Sequence, residues 1–133
     1  MKIGIVIGNF NEEITSRMEK KALEVAKNFE VDVIENIHVP GSFEIPIIVK
    51  KLLENKEIDG IVTLGAVIQG DTDHDVIIVE NVARKIIDLS LEYNKPVGLG
   101  IIGPRVTWQQ AEKRAEEYAE RAVKTTVEMI KKL

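Results

Sequence analysis

A histidine stands inside a stretch of turn formers and acids, Gln69-Gly70-Asp71-Thr72-Asp73-His74-Asp75. Imidazole is the side chain that changes protonation around neutrality, and positioned acid–base help contributes ~10²–10⁴-fold to a rate. A proton shuttle and a solvated histidine at a helix start both fit His74 on residue type alone. Gly70 permits a tight turn, and Thr72 followed three residues later by Asp75 resembles a capping box. The N–H groups gathered at such a helix start favour an anion, with phosphate as the natural occupant even without a Walker pattern. Asp71 and Asp73 oppose that anion, and an ordinary capped turn accounts for the same residues.

The chain has three phenylalanines, and Phe10 and Phe43 both fall in Gly-containing segments that follow β-branched runs. Aromatic faces there suit a planar heterocycle, and capping of the core suits them equally. Glu44 opens a helical stretch, where a carboxylate caps the helix start or accepts hydrogen bonds from ligand hydroxyls. A zinc site built on the two histidines, His38 and His74, lacks any His-x-x-x-His or comparable spacing, so no metal is expected.

The elements that must position these side chains follow from hydrophobic period. Ile3 to Ile7 is a β-branched run, and Glu12 to Phe29 carries Ile14, Met18, Leu23, Val25, Ala26 and Phe29 at helical spacing. Val31 to Val39 reads as a strand stopped by Pro40-Gly41, and Ile45 to Leu53 as a helix with Pro46 in its tolerant first turn. Ile58 to Ile68 is nearly continuously apolar, as in a strand covered on both faces, and Val76 to Leu91 returns to helical period. Pro96 to Ile102 supplies a fourth strand, and Thr107 with Gln110 forms a capping box opening a helix to Lys132. Strict strand–helix alternation predicts an α/β, flavodoxin-like three-layer sandwich with a four-stranded parallel sheet. In such sheets ligands bind beyond the carboxyl ends of the strands, where all of the candidate segments lie.

Composition bounds the rest. A chain of 133 residues with no cysteine suits one domain over 1–133 that needs neither disulfide nor structural metal. A net charge of −4 gives no basic footprint for nucleic acid, and no stretch nears the ~18–20 apolar residues of a membrane span. The sequence enters an apolar run at once without a basic leader, from which a cytoplasmic location and small-molecule ligands are expected.

The segments Gly8-x-Phe10-Asn11, Val39-Pro40-Gly41-Ser42-Phe43-Glu44-Ile45-Pro46 and Leu64-Gly65-Ala66-Val67-Ile68-Gln69-Gly70-Asp71-Thr72-Asp73-His74 together resemble the lumazine synthase family. The resemblance covers nearly the whole chain in order, continuing through Pro96-Val97, Gly100 and Gln110-Ala111-x-x-Arg114-Ala115. It implies condensation of 5-amino-6-(D-ribitylamino)uracil with 3,4-dihydroxy-2-butanone 4-phosphate, with release of phosphate and water and no cofactor. By resemblance, Phe10 stacks on the pyrimidine, Ser42 and Phe43 contact it, Val67 and Ile68 line its site, and Glu44 receives the ribityl hydroxyls. Asp71 and Thr72 hold the substrate phosphate, Arg114 pairs with it, and His74 transfers protons. Leu99 and Arg114 would reach a neighbouring subunit's pocket, which implies a homo-oligomer built of pentamers. Family members stop at one ring or a pair of rings, or assemble icosahedral shells.

Departures from the family pattern are specific. Leu99 stands where Phe is common, Asp71 replaces a small residue, and Arg121 is the nearest counterpart of a second basic residue in the last helix. The sequence begins at its first strand, without the N-terminal strand many members lend to a neighbour, a compact form similar to archaeal members. Two other readings fit the scaffold: an archaeal-type riboflavin synthase that dismutates two lumazines, and a non-catalytic flavin-binding assembly scaffold.

Overall fold

The computed structural model describes residues 1–133. Its elements alternate as expected: β1 (Lys2–Gly8), α1 (Glu12–Asn28), β2 (Asp32–Val39), a 3-10 turn (Ser42–Glu44), α2 (Ile45–Leu53), β3 (Gly60–Ala66), α3 (His74–Tyr93), β4 (Val97–Ile102) and α4 (Trp108–Lys132). The strands form one parallel sheet in the order β2-β1-β3-β4. Ile5 pairs with Asn36 on one side and Val62 on the other, placing β1 and β3 at the centre.

Side chains alternate across this sheet, so each central strand feeds two cores. Ile3, Ile5 and Ile7 join Val62 and Leu64 under α1 and α4. Val6, Ile61 and Ile101 face α2 and α3, packing with Ile45, Val49 and Ile86. Complete burial of such aliphatic side chains contributes about 1.5–3 kcal/mol each, which is why the central strands are apolar on both faces. The result is the three-layer, flavodoxin-like α/β sandwich.

Differences from the sequence reading lie at element ends and on one helix face. Strand β3 stops at Ala66 rather than Ile68: Val67 N–H makes a last bond to Ile102 O at 2.8 Å, and Val67 and Ile68 line a cavity beyond the strand end. Helix α3 begins at His74 and runs to Tyr93, where Asn94 closes it in the left-handed conformation, φ 54°. On α1, Ala22 and Thr15 are buried, whereas Leu23 and, at the C-cap, Phe29, which share the apolar spacing, are exposed. The capping box of α4 forms as expected, Gln110 N–H donating to Thr107 Oγ1 at 3.2 Å and Thr107 N–H to Gln110 Oε1 at 2.9 Å.

Candidate active site

The chain leaves β1 toward β2 on one side, and then crosses to β3 on the other. That reversal opens a crevice beyond the carboxyl ends of β1 and β3, the usual ligand position in open α/β sheets. A cavity of ≈ 630 Å³ occupies it, a size suited to a small-molecule ligand.

The segment after β1 is hung on its neighbours by backbone. Asn9 N–H donates to Val39 O at 2.8 Å and Phe10 N–H to Pro40 O at 2.9 Å, extending the β1–β2 ladder past Gly8. Asn11 then takes a left-handed conformation, φ 64°, at the start of α1, and its Nδ2 donates to Ala66 O at 2.8 Å. This side chain spans the crevice from the end of β1 to the end of β3. Phe10 lies across Gly41 so closely that a β-carbon on Gly41 would sit 2.5 Å from the ring Cδ2.

After β2, the 3-10 turn presents Ser42, Phe43 and Glu44 to the cavity. Glu44 N–H donates to Gly41 O at 3.1 Å, while Glu44 Oε1 accepts Gly41 N–H at 2.9 Å. Its second oxygen has no partner within the chain, so one carboxylate both caps the turn and offers an acceptor. Ser42 is buried over Gly65, where any β-carbon would collide with its Oγ, and this hydroxyl has no intrachain hydrogen bond. Phe10 and Phe43 are 66% and 62% exposed, so their rings serve the cavity rather than the core.

Val67 and Ile68 line the wall after β3, and His74 with Ile77 and Ile78 forms the wall from α3. The His74 ring makes no hydrogen bond within the chain and is open to solvent. The capping box expected of Thr72 and Asp75 does not form. Thr72 Oγ1 accepts His74 N–H at 3.3 Å, but the Asp75 carboxylate accepts Arg105 N–H at 2.8 Å from the β4–α4 loop. A tertiary donor has displaced the local one.

The structure thus gathers Phe10, Ser42, Phe43, Glu44, Val67, Ile68 and His74 around one cavity. Asp71 and Thr72 lie exposed in the adjoining loop, outside its lining. Leu99 belongs to the edge strand β4, beside a smaller apolar depression of ≈ 140 Å³ with Ile87 and Leu91. Arg114 and Arg121 are exposed on α4. Helical spacing puts them on the flank of α4 turned away from α1, since Glu116, on the opposite flank, is paired to Arg17. Arg121 lies 4.7 Å from the centre of the Tyr118 ring.

The cavity is also lined by Asn11, Gly41 and Ala66, which the motifs contain without a role of their own, and by Ile77 and Ile78, which no motif contains. Ile77 was accessible to sequence reasoning, because it follows His74 by three positions on a helix and so shares its face. His38 lies outside the cavity lining, its ring nitrogens 2.6 Å from Asn9 Oδ1 and 2.9 Å from Glu19 Oε2. Away from the cavity, the hydrogen bond between Arg17 and Glu116 raises the pKa of the guanidinium and lowers that of the carboxyl.

Residues 1–133 match the family model described as 6,7-dimethyl-8-ribityllumazine synthase. A protein of that name from Methanopyrus kandleri is 50% identical over 133 residues, covering 100% of this chain and 94% of the relative. One from Sulfolobus acidocaldarius is 53% identical, over 100% of this chain and 84% of the relative. One from Methanoculleus marisnigri is 50% identical, over 100% and 98% respectively.

Proposed function

Because the chain belongs to the 6,7-dimethyl-8-ribityllumazine synthase family, we propose that the cavity beyond β1 and β3 is its condensation site. The chain is a transferase of riboflavin biosynthesis, joining 5-amino-6-(D-ribitylamino)uracil to 3,4-dihydroxy-2-butanone 4-phosphate with release of phosphate and water. The observation that carries the site assignment is the convergence of three post-strand segments on one cavity with unused polar groups. The comparisons favour neither the riboflavin synthase nor the scaffold reading.

The pyrimidine lies against the exposed ring of Phe10, with Phe43, Val67 and Ile68 excluding water around it. The unpartnered Ser42 hydroxyl binds the ring, and the free oxygen of Glu44 accepts from the ribityl chain. His74 moves protons during imine formation, phosphate elimination and ring closure, a role supported by its unbonded ring at the cavity wall. Asp71, through its backbone, and Thr72 hold the phosphate at the start of α3, paired with an arginine.

That arginine is Arg114 of a neighbouring chain, with Leu99 closing the same pocket, Arg121 standing by as a second cation, and residues 1–133 acting as one domain. Neither Leu99 nor Arg114 lines the cavity of its own chain, and Leu91 and Leu99 leave apolar surface uncovered along α3 and β4. Both facts support a homo-oligomer built of pentamers, in the cytoplasm, with a single ring, a pair of rings and an icosahedral shell as the assemblies to be told apart. No helix is long and apolar enough to cross a membrane. Sedimentation of the purified protein reads the assembly.

The function is tested with both substrates present, following lumazine absorbance and phosphate release together. Matched appearance of the two is expected. Riboflavin formation from lumazine alone would point to the riboflavin synthase, and binding without turnover to a scaffold.

A further inference from the structure

We propose that Asp75 is a positioning residue that fixes His74 by tying the first turn of α3 to the β4–α4 loop. The inference rests on His74 acting in proton transfer.

Helix α3 starts poorly secured for an element that carries a reactive group. Its N-cap, Asp73, makes no side-chain hydrogen bond, and the Thr72 hydroxyl reaches only the His74 N–H, at 3.3 Å. Helix ends fray where such groups are left without partners. Consecutive residues on a helix point about 100° apart, so while His74 faces the cavity its neighbour turns inward. Asp75 is 4% exposed, and its Oδ2 accepts the Arg105 N–H at 2.8 Å. This is the one side-chain hydrogen bond that ties this end of the helix to a segment distant in sequence.

The anchor at the other end is itself shaped to meet it. Arg105 takes a left-handed backbone, φ 60°, two residues after Gly103 at φ 122°. A non-glycine residue holds that conformation where its surroundings impose it. The same loop accepts the Gln69 N–H through Val106 O at 2.9 Å, so it braces both ends of the segment that leads into α3. Asp75 touches no cavity space and acts only through the placement of its neighbour.

The test is a double-mutant cycle of Asp75→Ala and His74→Ala, read as kcat and KM for each substrate. Small misplacement of a catalytic group costs up to about 100-fold, so Asp75→Ala should lower kcat by that order with pyrimidine KM little changed. Asp75→Asn, whose Oδ1 can accept the same N–H, should recover most of the loss. With His74 already replaced, Asp75→Ala should cost less than about twofold more, because the two act as one unit. Amides 74–78 should exchange faster in Asp75→Ala. An equal fold-loss in both backgrounds, or Asp75→Asn as slow as Asp75→Ala, would overturn the inference. If Asp75→Ala does not fold, Asp75→Glu moves the acceptor by one methylene and should still slow kcat several-fold, and an unchanged kcat overturns the proposal. A fully active His74→Ala sinks the underlying assignment and this inference with it, whereas a slow His74→Ala beside a fully active Asp75→Ala removes this inference alone.

Discussion

The two faces of the sheet are finished in opposite ways. Under α4, Ala111, Ala115, Ala119 and Ala122 let the helix lie close on the sheet, and Gly98 and Gly100 of β4 remove the side chains that would hold it off. Arg17 on α1 clamps α4 through both oxygens of Glu116, at 2.8 and 2.7 Å, and through Glu112 O at 2.9 Å. Across the sheet, α2 and α3 bury their inner stripes but leave Ile47, Ile77, Ile87 and Leu91 outside, Leu91 at 76% exposure. Small residues close the first face more fully, where the exposed apolar side chains of Leu23, Met129 and Phe29 stay between 38% and 43% exposure. Large apolar residues left uncovered on the second lie where a substrate and a neighbouring chain would complete it. Stability and function should therefore separate by face under mutation.

The largest effect expected is on rate alone. His74→Ala should lower kcat ~10²–10⁴-fold while the thermal midpoint moves little, because the ring has no intrachain partner to lose. A kcat at saturating substrates equal to that of the parent would remove His74 from the chemistry. Arg114 sharpens the comparison, since it sits on the helix of the stable face but on its free flank. Arg114→Ala should raise KM for the butanone phosphate about 10–100-fold, the worth of one charged hydrogen bond, with pyrimidine affinity and melting temperature preserved. Equal weakening of both substrates would contradict a phosphate role. The proposed reach of Arg114 into a neighbouring chain is checked by co-expression with His74→Ala, where mixed oligomers should exceed the mean activity of the two because some interfaces carry neither lesion.

The reverse pattern is expected under α4. A β-carbon on Gly98 would collide with Thr126 Oγ1 and lie 2.6 Å from the backbone oxygen of Ala122. Gly98→Ala should therefore destabilise the fold by about 1–3 kcal/mol, lowering the midpoint by several degrees. Below that midpoint, kcat should hold. A Gly98→Ala protein of normal stability and reduced kcat would break the division between the faces.

What the sequence disclosed of this arrangement was whatever local rules decide. Ile45–Leu53 was legible to the residue because Pro46 fixes a helix start, and Thr107 with Gln110 because a capping box closes within one turn. Thr72 and Asp75 have the same spacing yet form no box, since a backbone donor 30 positions away claims the carboxylate. Ile58 to Ile68 reads as one strand because apolar character does not distinguish a residue that faces a core from one that lines a cavity. The over-extension at Val67 and Ile68 marks where the site begins. Asn11 belongs to the quoted motif, but its bridging role is not legible locally, its partner Ala66 being 55 residues distant.

The smallest effect tests whether the α1–α4 clamp belongs to stability alone. The hydrogen bond from Arg17, joined by its charge, holds the Glu116 carboxyl below the ordinary carboxylate range despite opposing desolvation. A carboxyl depressed in the folded state stabilises above its unfolded pKa, and that contribution fades as pH falls through the lower folded value. The side chains are 41% and 43% exposed, so solvent screening limits the pair to under about 1 kcal/mol. Glu116→Gln should thus lower the melting temperature by a few degrees at neutral pH. The gap from the parent should narrow as pH falls below the usual carboxylate range, and also in high salt, where surface charges are screened. Activity at neutral pH should be unchanged throughout, because the pair lies on the flank of α4 opposite Arg114. A melting difference that stayed constant from neutral to acid pH would mean that Glu116 supports the helix through packing rather than charge.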